Sequence, residues 1–353
     1  MADSSSKRLD HIQGLRGLAA FAVVIQHGLE LVERSGITIF RPLFETVNLG
    51  RFGVVLFFLI SGLVIPYSFR GETPLRNFAI SRFLRLYPAY WLSIPVLTGV
   101  YFLNGMPTNA ATFLGNFTMI QELIGIRNIG PGYWTLKFEL VFYALCLVFF
   151  AVRWLHKAAL NALMAIGLLV AAVSPSILYG GNGGHESRFF FAMFFVGLLL
   201  RQALVEGDNI ARRSIFVVIP TCLAAGLVMG GLFFRVPMNS GPYFHPVALA
   251  GSMTLPLIVF ALTLWFRSPP SKLFMYLGTV SYSAYLFQDV GLLMLPHVIS
   301  PKIWPIYLVG VVGITLLIAS VVYHFVEKPM VELGHRLTKR PVQPSLVEAK
   351  APF

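Results

Sequence analysis

The chain has 353 residues, 56% of them hydrophobic and only 12% charged, where soluble domains carry about 25% charged residues. That much apolar surface excludes a water-soluble fold and makes a bilayer the solvent. The net charge of +12 does not point to nucleic acid, because the basic residues cluster between apolar runs.

A spanning helix needs about 20 mostly apolar residues. Ten segments qualify, at roughly 14–33, 49–69, 83–103, 133–152, 158–178, 189–205, 214–234, 247–266, 273–295 and 303–326. The chain therefore reads as an all-α polytopic membrane protein with about ten transmembrane helices. One membrane domain covers residues 1–340, and a polar tail over 341–353 is expected to be disordered and cytoplasmic. Lys7 and Arg8 before Gly17–Ile25 resemble a signal peptide. No small-x-small cleavage site follows, so the segment reads as a retained first span.

Ionisable groups inside spans are costly and are functional candidates by default. In the first span, Arg16 and His27 are eleven residues apart. They lie within about 20° of one helix face, with His27 about 16 Å deeper in the bilayer. A neutral imidazole there either accepts a proton from an attacking hydroxyl or holds a neighbouring helix by a hydrogen bond. In SRFLRLYPAYW, Arg82 and Arg85 share one face at the start of the third span. The pair suits phosphate, as in coenzyme A, or anchors to anionic lipid. Tyr87, Tyr90 and Trp91 read as an interfacial aromatic belt, and Asn116-Phe-Thr is a formal glycosylation sequon.

The fourth span opens with GPGYWTLKFELVFY. Glu139 there pairs with an arginine of another helix, holds a proton, orients His27 or meets an acceptor hydroxyl. Lys137 faces elsewhere, and Tyr133 and Trp134 are candidates to stack on a sugar ring. Cys146 and Cys222 lie in apolar runs and read as buried small hydrophobes. His185 sits in a glycine-rich loop without metal-ligand spacing, and no metal site is expected. In the ninth span Gln288 is a ligand-binding candidate, and Asp289 beside it reads as polar glue between helices. Glu327, before Lys328 and Pro329, reads as a helix-end feature at the interface. Pro95, Pro220 and Pro256 do not pair up between halves, so no transporter-like repeat is visible. With the N-terminus inside, eighteen Lys and Arg fall on the cytoplasmic side and eight on the other, which favours two cytoplasmic termini.

These segments together resemble the membrane acyltransferase-three family. LDHIQGLRGLAAFAVVIQH is similar to its opening, with Arg, ten residues, then His. GVVLFFLISGLVI, FAISRFLRLYPAYW, YWTLKFELVFY, GTVSYSAYLFQ and the closing VEKP resemble its further segments in order, from residue 9 to residue 329. The resemblance implies about ten spans in a bacterial inner membrane and transfer of an acetyl or other short acyl group. The donor is cytoplasmic acyl-CoA, no cofactor is held permanently, and the acceptor is a polysaccharide, glycolipid or similar sugar. Carried over, His27 and Glu139 are catalytic, Arg16 is the motif partner of His27, and Arg16 joins Arg82 and Arg85, the donor-linked pair, in binding acyl-CoA. The chain departs from many members in having Gln288 where they have histidine. It is also expected to lack the SGNH hydrolase-like domain that some members carry. The rival reading from the residues alone is a transporter or flippase of lipid-linked sugars.

Overall fold

Backbone groups find no water inside a bilayer, so each crossing segment must close its hydrogen bonds within itself. The computed structural model describes residues 2–179, 186–233, 245–266 and 271–338, and among these no strand occurs. His185 and the tail over 341–353 lie outside the described residues. The chain runs through α1 (Ala2–Arg34), α2 (Arg41–Thr46), α3 (Leu49–Val64), α4 (Pro74–Leu103) and α5 (Ala110–Asn116). It continues through α6 (Trp134–Ala151), α7 (Ala158–Tyr179), α8 (Glu186–Arg201), α9 (Asn209–Phe233) and α10 (Pro246–Phe266). The last elements are α11 (Lys272–Thr279), α12 (Ser281–Met294), α13 (Trp304–Val322) and α14 (Lys328–Leu337).

All ten expected apolar segments are helical, but not all are long single spans. Seven described helical segments have the length and hydropathy to cross a membrane. The expected spans 49–69 and 158–178 contain shorter apolar helices, Leu49–Val64 and Ala158–Ser174. The expected span 273–295 is broken at Val280 into α11 and α12. α13 runs through a π-turn, Tyr323–Glu327, into α14. Pro329 supplies the reason: it has no N–H to offer and its ring crowds the carbonyl four residues earlier, so the ladder must loosen there.

Two crossings fix the centre of the bundle. The most apolar windows of His11–Arg34 and Glu186–Glu206 are 67% and 72% buried, against 28–39% for the other five long segments, so α1 and α8 are interior helices. α1 meets α11 at Gly17 and Gly278, where a Cβ on Gly278 would stand 1.8 Å from the Gln13 carbonyl oxygen. α3 meets α8 at Gly62 and Gly197, where added Cβ atoms would lie 2.0 Å and 2.1 Å from the Phe194 and Leu59 carbonyl oxygens. Small residues permit such backbone-to-backbone approach, which is how helices gain packing where lipid is as apolar as leucine. Phenylalanines fill the neighbouring layers, with Phe194 stacked on Phe58 at 4.4 Å and on Phe142 at 4.2 Å.

The segment between α4 and α6 folds back alongside α4. α6 begins beside Tyr90 and Ser93, where the Tyr133 hydroxyl lies 2.6 Å from Ser93 Oγ. Tyr90 precedes the end of α4 by 13 residues, which places the start of α6 about 20 Å short of that end. The irregular backbone at this depth needs partners, and α4 supplies them. Tyr87, Tyr90 and Trp91 donate to the carbonyls of Thr118, Asn116 and Phe117 at 3.2, 2.6 and 3.0 Å. Tyr90 is fully buried and so departs from the expected aromatic belt, whereas Trp91 keeps 39% of its surface exposed; all three polar tips satisfy protein backbone. The sequon reading also falls, because the Asn116 side chain is fully buried and donates to the Thr112 and Arg127 carbonyls. Lys137 pairs with Glu122 of the same segment.

Gly278→Val puts a branched side chain into the Gln13 backbone, and overpacking of this kind costs about 3 kcal/mol or more. A large drop in the thermal unfolding midpoint of detergent-solubilised protein is expected. Gly99→Ala, with open space around its Cβ, should leave that midpoint unchanged or raise it.

Candidate active site

α1, α3, α4, α6 and α12 leave a narrow cavity of about 60 Å³ between them, several times what one water molecule needs. Arg16, Arg85 and Glu139 bring charge to its lining, Ser61, Thr135, Tyr282 and Tyr285 bring hydroxyls, and Phe57, Phe58, Leu86 and Leu136 form apolar walls. The Gly17–Gly278 crossing draws α1 against α11 and so sets the position of the adjacent Arg16. The Tyr143 hydroxyl donates to Glu139. Tyr282 donates to the Leu86 carbonyl at 2.9 Å. Tyr285 donates to the Gly132 carbonyl at 2.9 Å and lies 2.9 Å from Thr135 Oγ1.

Glu327 completes the charge set. It is 5% exposed, accepts from the Ser283 hydroxyl, and interacts electrostatically with Arg85 and Arg16. The Arg16 guanidinium in turn feels Arg85, Glu139 and Glu327. Two cations therefore face two anions, which is what lets ions persist away from water. Glu327 is not the helix-end feature that its Lys-Pro neighbours suggested, because the π-turn carries the helix past it and turns its carboxylate inward.

Arg82 and Arg85 separate despite their shared face. Arg85 lines the cavity, whereas Arg82 donates to the Ser68 hydroxyl and lies over the rings of Phe78 and Tyr143 at 5.6 and 5.4 Å. Tyr133 and Trp134 do not line the cavity. Tyr133 is 2% exposed with its ring 4.8 Å from Tyr90, and Trp134 packs on Phe138 and Phe190 at 5.9 and 5.6 Å. Stacking on a sugar is thereby replaced by packing behind the cavity wall, which their neighbours Thr135 and Leu136 form.

His27 lies about three turns further along α1 than Arg16, some 16 Å away along the axis. Glu139 does not orient it. His27 Nδ1 is 3.1 Å from Glu30 Oε2 on its own helix, and its side chain keeps 37% of its surface accessible. Across from it on α12, buried Asp289 accepts from the Tyr101 hydroxyl at 2.9 Å and interacts electrostatically with His27. Gln288 donates to the Tyr285 carbonyl at 3.3 Å, while its Oε1 is buried without a hydrogen-bond partner among the described residues. The structure thus forms two polar centres, one around Arg16 and one around His27. Sequence reasoning gave no role to Tyr143, Tyr282, Tyr285 or Ser283, since hydroxyls in apolar runs carry no signal of their own. Cys146 and Cys222 are buried and free. Among the described residues no cluster of His, Cys, Asp or Glu is placed to hold a metal ion.

A family model described as an acyltransferase domain, acyltransferase type 3, matches residues 9–324. The chain belongs to that family. Among its relatives is the putative peptidoglycan O-acetyltransferase YrhL of Bacillus subtilis (strain 168), 27% identical over 375 residues. That match covers 94% of this chain and 57% of the relative. Nodulation protein 10 of Rhizobium leguminosarum bv. viciae is 25% identical over 372 residues, covering 96% of this chain and 97% of that protein. The acyltransferase MdmB of Streptomyces mycarofaciens is 27% identical over 145 residues, 38% of each chain. No solved structure matches the chain. Family and helices together make this a multi-pass membrane protein with an acyltransferase domain.

If the four charges act as one set, removing one leaves its opposite partner exposed to the full cost of burial. Arg85→Gln and Glu327→Gln should each lower the unfolding midpoint. The double variant should be more stable than the sum of the two losses predicts, by a coupling of about 0.5–3 kcal/mol. Strict additivity in a thermal double-mutant cycle would show that the two groups do not interact.

Proposed function

We propose that the chain moves an acetyl or other short acyl group from acyl-CoA to a hydroxyl of a cell-surface polysaccharide, glycolipid or similar sugar. The observation that carries this reading is the cavity lined by Arg85 of α4 and by Arg16, which shares α1 with His27 three turns further on. Planar, permanently charged guanidinium groups suit phosphate. A donor with phosphates at one end and a thioester at the end of a long arm fits a site whose cations and base are separated in this way. The acceptor class rests on the relatives, one of which bears the name of a peptidoglycan O-acetyltransferase.

Acyl-CoA enters from the cytoplasm, its phosphates meet Arg85 and Arg16, and its arm extends along the apolar walls of Phe57, Phe58 and Leu136. The acceptor enters from the other half. His27 takes the proton from the acceptor hydroxyl as its oxygen attacks the thioester carbonyl. The new C–O bond forms, the C–S bond breaks, and the coenzyme A thiolate leaves and takes up a proton. Glu139, bound to Tyr143 and set against Arg16, keeps the arginines in place and neutralised between turnovers; Gln288 offers its Oε1 to the ligand. In this reading residues 1–340 form one membrane domain in a bacterial inner membrane, with both termini in the cytoplasm.

His27→Gln keeps hydrogen bonding and removes basicity, so it should abolish incorporation of labelled acetyl from acetyl-CoA into cell-envelope polysaccharide. Normal transfer by that variant would remove His27 from the chemistry. Arg85→Ala should weaken acetyl-CoA binding to purified protein by about 1.5–3 kcal/mol, the worth of a charge-assisted bond, and Arg85→Lys should restore little of it. Unchanged binding in Arg85→Ala would mean the cavity does not serve the donor, as the transporter reading requires.

A further inference from the structure

The carboxylate beside His27 belongs to a hydrogen-bonded chain that begins on another helix. The backbone N–H of Leu49, first residue of α3, donates to Gln26 Oε1 at 2.9 Å. That N–H is one of the donors a helix start leaves unsatisfied. Because a backbone N–H can only donate, it fixes which end of the Gln26 amide is oxygen. Gln26 is 1% exposed, and its Nε2 donates to Glu30 Oε1 at 3.0 Å. Glu30 Oε2 then faces His27 Nδ1 at 3.1 Å. α3 is itself anchored at this point, since the Asn48 backbone N–H donates to Ser252 of α10 at 2.7 Å.

The direction of this chain has a chemical consequence. An ionised carboxylate accepts and cannot donate. Nδ1 must therefore carry the ring proton, and in the neutral ring the lone pair falls on Nε2. We propose that Glu30 is a positioning residue for His27. It selects the Nδ1–H tautomer, aims Nε2 at the acceptor hydroxyl, and stabilises the imidazolium formed when the proton arrives. Gln26 and the start of α3 hold Glu30 in that geometry. Among the described residues, Asp289 of α12 and Arg34 of α1 also act on His27, and Asp289 is already bonded to Tyr101. This inference rests on the reading of His27 as the base. It goes beyond that reading by naming what makes this histidine a directed base.

The test is made on full-length protein in lipid nanodiscs, with the histidine rings labelled with ¹⁵N and the His27→Gln spectrum used to assign His27. The parent should show the Nδ1–H tautomer. Glu30→Ala should shift the ring toward Nε2–H and lower acetyl transfer from acetyl-CoA by about 100-fold or more, the scale of a general base's contribution, while acetyl-CoA binding stays at the parent level. Glu30→Gln, which still accepts from Nδ1–H but carries no charge, should keep the tautomer and recover part of the transfer. It also serves in place of the alanine variant should that one fail to fold. An Nε2–H tautomer in the parent overturns the proposal. So does parental transfer in Glu30→Ala when His27→Gln is inactive, and in that case the role of His27 survives. Parental transfer in His27→Gln instead defeats the reading on which the proposal stands.

Discussion

The fold is organised around the cost of holding charge where water is scarce. Arg16, Arg85, Glu139 and Glu327 come from four separate segments of the chain, α1, α4, α6 and the π-turn after α13. None could be kept alone in a bilayer-spanning bundle without paying for its lost hydration. Brought together, they cancel in sign and leave a polar chamber with apolar walls. Much of the surrounding architecture serves that meeting: the glycine crossing that seats Arg16, the loosened helix that turns Glu327 inward, and the tyrosines that bond the carboxylates and carbonyls around the rim.

A second demand is made by backbone rather than side chains. The segment between α4 and α6 reaches well below the end of α4 with little regular helix to close its own hydrogen bonds. Protein groups must then take the place of water. Tyr87, Tyr90 and Trp91 do so from α4, and Asn116 does so from within the segment. At its base Met119 adopts a left-handed backbone conformation with φ at 64°. That costs a residue with a Cβ roughly 1–2 kcal/mol, and the surrounding bonds must hold it. The result is that α6 starts well short of the end of α4, and Glu139 lines the same cavity as Arg16.

The sequence disclosed the cast of this site better than its pairings. Arg16, His27 and Glu139 stand out because charge in an apolar run is improbable without cause, and apolar length alone revealed all ten helical segments. What it hid was tertiary. For Glu139 an arginine partner and a place beside His27 were both open, and the crossing of α1 with α11 puts Arg16 in the cavity that Glu139 lines and leaves His27 to Glu30. That i,i+3 pair was legible by spacing, but Leu49 and Gln26, which orient it, meet only once α3 has packed against α1. Tyr90 and Trp91 have the composition of a lipid-water belt, and only the returning segment shows what their polar tips bond. Glu327 was masked by its neighbours, since a following Lys-Pro ordinarily signals that a helix has finished.

The π-turn at Tyr323–Glu327 also sets the phase of everything beyond it. One extra residue within a helical turn rotates the following face by about 100°, the angular step of an α-helix. α13 and α14 are therefore one rod with two orientations. The upper part presents Val311 and Thr315 to the bundle, and the lower part is free to lay Gly334 against Leu84 of α4. Removing a single residue from this turn would leave composition and hydropathy almost untouched. It would nonetheless swing either the carboxylate or the docking helix to the wrong side, so that length, rather than chemistry, is what the closing segment has to conserve.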